Sequence, residues 1–483
     1  MKVLLLGVLL GAVVVFDPVV TAYLLRDFSW LRDLPYLLSI TAALTVGVAF
    51  AVRRFVGGLA ATVIHDYWLY FPLLFLVAYQ FTGVAAGPLD PTDVLIGLFI
   101  LLLLAGLFIR RDQRFVSTPF NMLHLGFVIC LAVSLVSQFN PTGFVRALKP
   151  FVLFFLLVNF LPRENLIQTF LRWLVVLAIL SAAFGLLQEL VWVTTGTMLS
   201  LVSEAQLQMM LETHFGVPLF RIPAMMTGYR PFALYLGTAM ILSVSALLWR
   251  KEWALLRPRW LILGLCFIAP ALTLTFAKDI LLGVSAGLLL LMIMYRPKRL
   301  VPVALVAGLA GALALLTAIA IVPGNIDTAI DLTRTVPKAE VERIRLDRDS
   351  IEGFMHGPYF WTGRGVFAGD RYTAHTRGWP AHNAFILVAA ELGIAGLTLL
   401  LLIYGLAIAR AMALNIMVTH GPYVTIVRSL PPILVVVLFG AQFEADYLEM
   451  LIWAIFATVE AMWFLVRGQA VTTTEPPVNS GTG

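Results

Sequence analysis

Residues 379–410 read WPAHNAFILVAAELGIAGLTLLLLIYGLAIAR. A polar lead-in ending on His382-Asn383 passes into an apolar run in which Glu391 is the only charge before Arg410. A helix over 383–409, rising about 1.5 Å per residue, is long enough to cross a hydrocarbon core of about 30 Å. The run therefore reads as a membrane span with an imidazole at its mouth.

The same pattern repeats along the chain. Its 483 residues are 60% hydrophobic and 12% charged, with a mean hydropathy of +0.94, whereas an average soluble domain carries roughly 25% charged residues. Apolar runs of about 17–25 residues predict an all-α polytopic membrane protein of about fourteen transmembrane helices. They fall near 3–25, 34–52, 67–83, 93–109, 120–139, 144–161, 168–194, 231–249, 260–277, 279–295, 300–322, 383–409, 424–443 and 447–466. A single transmembrane domain over 1–466 leaves no room for a soluble domain of ordinary size. The run Val3–Leu25 follows Lys2 but lacks a small-residue cleavage site, so it reads as a retained span and not a signal peptide. Cys130 and Cys266 lie far apart inside apolar runs and suggest neither a disulfide framework nor a zinc site.

The net charge of +6 does not point to nucleic acid, because the basic residues are spread between spans. They report topology instead. Arg53-Arg54, Arg110-Arg111-Arg114, Arg163, Arg250-Lys251-Arg257-Arg259, Arg296-Lys298-Arg299 and Arg410 all fall in short loops on one side. The positive-inside rule makes that side cytoplasmic and, with an even span count, places both termini there. The longer loops near 195–230 and 323–381 are then extracytoplasmic, and the stretch 467–483, rich in Thr, Pro, Ser and Gly, reads as a disordered cytoplasmic tail.

In the larger loop, Lys338–Met355 predicts one helix, since Val341, Ile344, Ile351 and Met355 recur at helical spacing. Arg348 falls within that apolar stripe and Arg345 beside it. Two readings stand: the arginines enter a cavity between loop and membrane domain, or they snorkel towards headgroups.

Cations also occur on the outer side, where the orientation rule would not put them: Arg146 and Lys149, Arg221 and Arg230, Lys278 and the loop arginines. Together they could hold an anion such as a phosphate. For Arg146 and Lys149 interfacial anchoring competes with this reading, and for Lys278-Asp279 a local ion pair does. His382, near neutral pH, can accept a proton from a hydroxyl that attacks an electrophile. His356 and His375 do not form a metal-ligand spacing with it.

One combination of motifs is more telling than any single residue. Gly363-Arg364-Gly365-Val366-Phe367 precedes His382-Asn383, which precedes Glu391-Leu392-Gly393-Ile394-Ala395-Gly396. In order and spacing this resembles the C-terminal signature of the O-antigen ligases and related lipid-linked oligosaccharide polymerases of bacterial envelopes. Gly185-Leu186-Leu187-Gln188 and Thr227-Gly228-Tyr229-Arg230-Pro231 are weaker echoes, so the resemblance covers roughly residues 180–410. Where the family commonly has Ser-Arg-Gly, this chain has Ala277-Lys278-Asp279, which keeps a positive charge but not the guanidinium fork.

The resemblance implies a GT-C-like architecture and no cofactor or metal. It implies a glycan donor linked to undecaprenyl pyrophosphate and a saccharide acceptor, either lipid A core or a growing polysaccharide. The reaction would take place outside the inner membrane, among its lipids, with no nucleic acid involved. His382 would act as base, while Arg221, Arg230, Lys278 and Arg345, with Arg348 and Arg146 as further candidates, would meet the pyrophosphate. Local roles are expected for the rest: Asn383 as a helix cap, Glu391 as a buried hydrogen-bonding partner, Gly363 and Gly365 in a tight turn, and Gly393 and Gly396 in close helix packing. Two other functions compete, a flippase for the same lipid-linked glycan and a protein O-oligosaccharyltransferase.

Overall fold

The computed structural model describes residues 71–80, 82, 92–93, 95–97, 100, 118–137, 141–162, 166–195, 221–226, 228–249, 256–295, 344–356, 359–366, 381–443 and 447–472. The chain divides into two compact units, Met1–Tyr70 and Phe71–Gly483, and every described residue belongs to the second. The expected spans 3–25, 34–52 and 300–322, and most of 93–109, lie outside the described residues, as does the tail beyond Thr472.

Among the described residues the protein is helical, with no strand. In chain order the helices are α1 (Phe71–Gln80), α2 (Pro119–Ser137), α3 (Pro141–Phe160), α4 (Leu166–Thr195), α5 (Tyr229–Leu248), α6 (Pro258–Leu274) and α7 (Lys278–Tyr295). They continue with α8 (344–356), α9 (Ala384–Met417), α10 (Val424–Phe443) and α11 (Met450–Thr472). By length and composition five of them, α4, α5, α9, α10 and α11, can cross a membrane. Over its described residues the protein is thus an all-helical membrane protein.

The most enclosed of these is α5, buried along nearly its whole length from Phe232 to Ala246. It packs against α4, α6, α7 and α10. Without water, backbone groups must bond within the helix and helices associate through close side-chain fit. Small residues provide that fit between α7 and α10: a Cβ on Gly283 would press on Phe439 and the Val436 backbone, and one on Gly287 on the Pro432 carbonyl. On the other side, α11 packs on α3 and α9 on α2. Aromatic rings fill the space between: Trp453 of α11 lies 4.5 Å from Phe151 and 5.0 Å from His124, and His124 stacks on Phe154 at 4.0 Å.

Cross-links identify the two ends of the bundle. At one, Thr425 Oγ1 bonds the Trp249 carbonyl at 3.5 Å and Arg428 stands 4.9 Å from the Trp249 ring. At the other, Tyr79 donates to Glu449 and Tyr447 donates to Glu391 Oε2 at 2.8 Å. The Gly393 bend belongs to this second end through Glu391, and the starts of α5 and α7 through the Tyr79–Tyr235 rings and the approach of Ile280 to Gly440, while the head of α9 turns back at the bend so that Phe385 meets Tyr404 at 5.4 Å.

One loop cation is placed differently from the sequence expectation. Arg410, read as part of a short loop, lies inside α9, which runs on to Met417, and is buried. It pairs with the buried Glu460 of α11, and its guanidinium carbon lies 5.3 Å from both the Phe120 and Trp463 rings. A cation remains in a helix interior when a carboxylate and aromatic faces replace its water. Breaking such a pair leaves a buried charge uncompensated. Glu460→Gln is therefore expected to cost about 3–5 kcal/mol, read as a lower melting temperature of the detergent-purified protein. The double change Arg410→Met/Glu460→Leu should recover most of that loss.

Candidate functional site

The site grows from a break in α9. Gly393 has φ 72°, in the left-handed region, so the helix bends there and its hydrogen-bond ladder is interrupted. The chain at 359–366 repairs the break. Arg364 N–H donates to the Ala390 carbonyl at 2.9 Å, Gly365 N–H to the Glu391 carbonyl at 3.0 Å, and Ile394 N–H to the Phe360 carbonyl at 2.9 Å. The turn itself closes through Gly363 N–H to the Tyr359 carbonyl at 2.8 Å, with φ 69° at Gly363 and 111° at Gly365.

Both partners need glycine for contact as well as for dihedral. A Cβ on Gly363 would overlap the Glu391 carbonyl, and one on Gly393 the Trp361 carbonyl. Gly393 is therefore not a residue of helix-to-helix packing but the bend into which the turn locks. A Cβ on Gly396 would meet Leu392 of its own helix, so its small size also serves the bend. Beneath the break, the Glu391 carboxylate is buried and accepts from Tyr447, while Trp453 Nε1 donates to the Tyr447 carbonyl at 3.0 Å. The Gly-x-Gly and Glu-x-Gly-x-x-Gly motifs are two halves of one joint.

At the head of α9, Asn383 is the N-cap: its Oδ1 accepts from Phe385 N–H at 2.9 Å and Ile386 N–H at 3.2 Å. These are two donors that the first turn of a helix leaves without partners. His382, half-buried, is held one residue earlier, where its backbone N–H donates to Asp347 Oδ1 of α8 at 3.1 Å. The stacked rings of Phe354 and Phe360, 5.0 Å apart, tie α8 to the turn. Asp347, absent from the sequence reading, is thus what aims the chain at His382. Its signal was slight, a polar position off the apolar stripe.

The cations divide into groups. Arg221 is buried, with its guanidinium carbon 4.4 Å from the Tyr229 ring centroid, and Arg230 lies 5.8 Å from the same ring. The segment that carries Arg221 is anchored by Gln188, whose Nε2 donates to the Ala224 carbonyl at 2.9 Å, and Ala224 has φ 51°. Gly185, a turn before Gln188, leaves room for Ile222 and Phe232, which a Cβ would approach to 3.1 and 3.2 Å. The two weaker motif echoes, around Gln188 and Arg230, therefore meet at the Arg221 segment.

Lys278 is exposed at the first position of α7, after a turn in which Phe276 has φ 53°, and Asp279 behind it is buried. Arg146 is exposed on α3, and Lys149, its expected companion, pairs with Asp93. Arg345 and Arg348 are exposed on α8, with Arg348 Nε 2.7 Å from Glu352 Oε1. Of the apolar stripe that the sequence marks on α8, Ile344, Ile351 and Met355 are exposed, and Leu346, Ser350 and Phe354 make the buried side.

Residues 263–401 match the family model described as O-antigen ligase. The match runs from α6 through α7 and α8 to the bend of α9, and so contains the joint and His382. The protein carries an O-antigen ligase-like domain over this stretch, which ties it to glycosyltransferase-type work in surface polysaccharide assembly. No curated protein matches the chain.

Proposed function

We propose that the protein transfers or polymerises glycan from an undecaprenyl-pyrophosphate-linked oligosaccharide onto a saccharide hydroxyl at the periplasmic face of the inner membrane. The observation that carries this reading is the pinning of His382. Between the Asp347 bond and the Asn383 cap, the imidazole is presented from a fixed backbone. A base at a set position, in a chain that also offers Arg221, Arg230 and Lys278 as cations, suits attack on a phosphate-activated sugar.

In this scheme His382 takes the proton of the acceptor hydroxyl as its oxygen bonds the anomeric carbon. The bond from that carbon to the pyrophosphate oxygen breaks, and its electron pair leaves with undecaprenyl pyrophosphate. Arg221 and Arg230 meet the growing negative charge, helped by Lys278 at the start of α7, where the helix dipole also favours anions. One displacement inverts the anomeric configuration and needs no glycosyl-enzyme intermediate. Arg345, Arg348 and Arg146, exposed like Lys278, are further candidates for the same contact.

The wider setting of this proposal is a chain of about fourteen spans with both termini in the cytoplasm, as its apolar runs and charge bias suggest, and a GT-C-like architecture with chemistry that needs no metal, as the resemblance implies. Arg221 gives a direct test. Arg221→Gln should lower transfer efficiency on the order of 10²-fold, as removal of one charge-stabilising donor does elsewhere. Arg221→Lys should retain part of the activity, because charge persists without the fork. Equal activity of all three proteins in a donor-limited assay would count against the scheme.

A further inference from the structure

Helix α8 has three sides, and only one of them touches protein. Successive residues turn by about 100°, so Leu346, Asp347, Ser350 and Phe354 form one side, which is the buried and half-buried one. Arg345, Asp349, Glu352 and His356 form a second, polar side. Ile344, Ile351 and Met355 form a third, narrow and apolar, which is 67%, 45% and 57% exposed. Arg348 lies at the border of the last two, bonded to Glu352.

A helix in water needs two sides, one for the core and one for solvent. A third, apolar side is needed when a third medium is present. The neighbouring turn repeats the pattern: Trp361 is 71% exposed. Its carbonyl lies against Gly393, and Ile394 N–H donates to the Phe360 carbonyl beside it. From that point α9 shows its own outward apolar face, with Ala395 and Thr398 exposed and Leu401 and Leu402 about half exposed. The apolar side of α8 and the Trp361 ring therefore continue the face that a membrane helix turns to lipid. Tryptophan at such a junction suits the headgroup level.

We propose that α8 and the Trp361 turn rest in the lipid leaflet on the His382 side of the bilayer, as an interfacial foot that fixes the level of His382 relative to the membrane. The apolar side lies among acyl chains near the headgroups. Arg345 and Arg348 lie alongside at headgroup level, where anionic lipids favour them. The level passes to His382 through the Asp347 bond and through the Phe354–Phe360 stack.

The test places single nitroxide labels at Ile351→Cys, Met355→Cys and Glu352→Cys, in a full-length background with Cys130→Ala and Cys266→Ala. The protein is reconstituted into phosphatidylethanolamine and phosphatidylglycerol vesicles. Labels at 351 and 355 should show an oxygen-to-nickel-chelate accessibility ratio at least about threefold above that at 352. Bimane on the same cysteines should be quenched by lipids brominated on their acyl chains at 351 and 355 and spared at 352. The proposal is overturned if 351 and 355 behave as 352 does, which means water, or if they are closed to both reagents and unquenched, which means protein cover.

Discussion

Gly363→Ala is expected to remove most of the folded protein, at a cost on the order of 4 kcal/mol or more. Two effects add. The methyl disfavours the left-handed φ of 69°, a penalty of about 1–2 kcal/mol, and it overlaps the carbonyl of Glu391, which cannot retreat without moving α9. Gly421→Ala separates the two effects: Gly421 has φ 98° and open space around its missing Cβ, so only the dihedral penalty applies. Thermal unfolding in detergent should show a far larger drop for the first variant. Equal drops would mean that the turn and the bend are not rigidly locked.

His382→Ala should leave that joint intact and lower transfer by about 10²–10⁴-fold, the usual worth of a placed general base. Purified protein at matched folded amounts is the material, and release of lipid pyrophosphate is the readout. Asp347→Ala should leave the imidazole in place chemically but loosen the backbone that carries it, for a smaller loss of roughly tenfold to 10²-fold. If His382→Ala transfers at the unaltered rate, another group removes the proton. If Asp347→Ala is as damaging as His382→Ala, the carboxylate acts directly.

Much of the helical frame was legible because a membrane span announces itself by length and polarity alone. The runs at 424–443 and 279–295 became Val424–Phe443 and Lys278–Tyr295 within a residue. Arg410 was misplaced because sequence shows a cation without its partner: Glu460, fifty residues on, decides that the helix continues past it. Periodicity revealed α8 but not which side meets protein, since Ile344, Ile351 and Met355 repeat as regularly as Leu346, Ser350 and Phe354. Spacing placed Gly363 and Gly393 in the right order, yet the docking of one on the other depends on dihedrals and on a fold that brings residues thirty apart into contact. His382 could be singled out in advance; Asp347, which orients it, could not.

The most direct test of the proposed function is transfer by the purified, reconstituted protein. The donor is an undecaprenyl-pyrophosphate oligosaccharide of defined anomeric configuration, offered with candidate saccharide acceptors in the presence of a chelator. The expected product is a glycoside of inverted configuration, formed together with free undecaprenyl pyrophosphate and lost in His382→Ala. Movement of intact donor across the bilayer without a new glycosidic bond, or transfer with retained configuration, would contradict the proposed function.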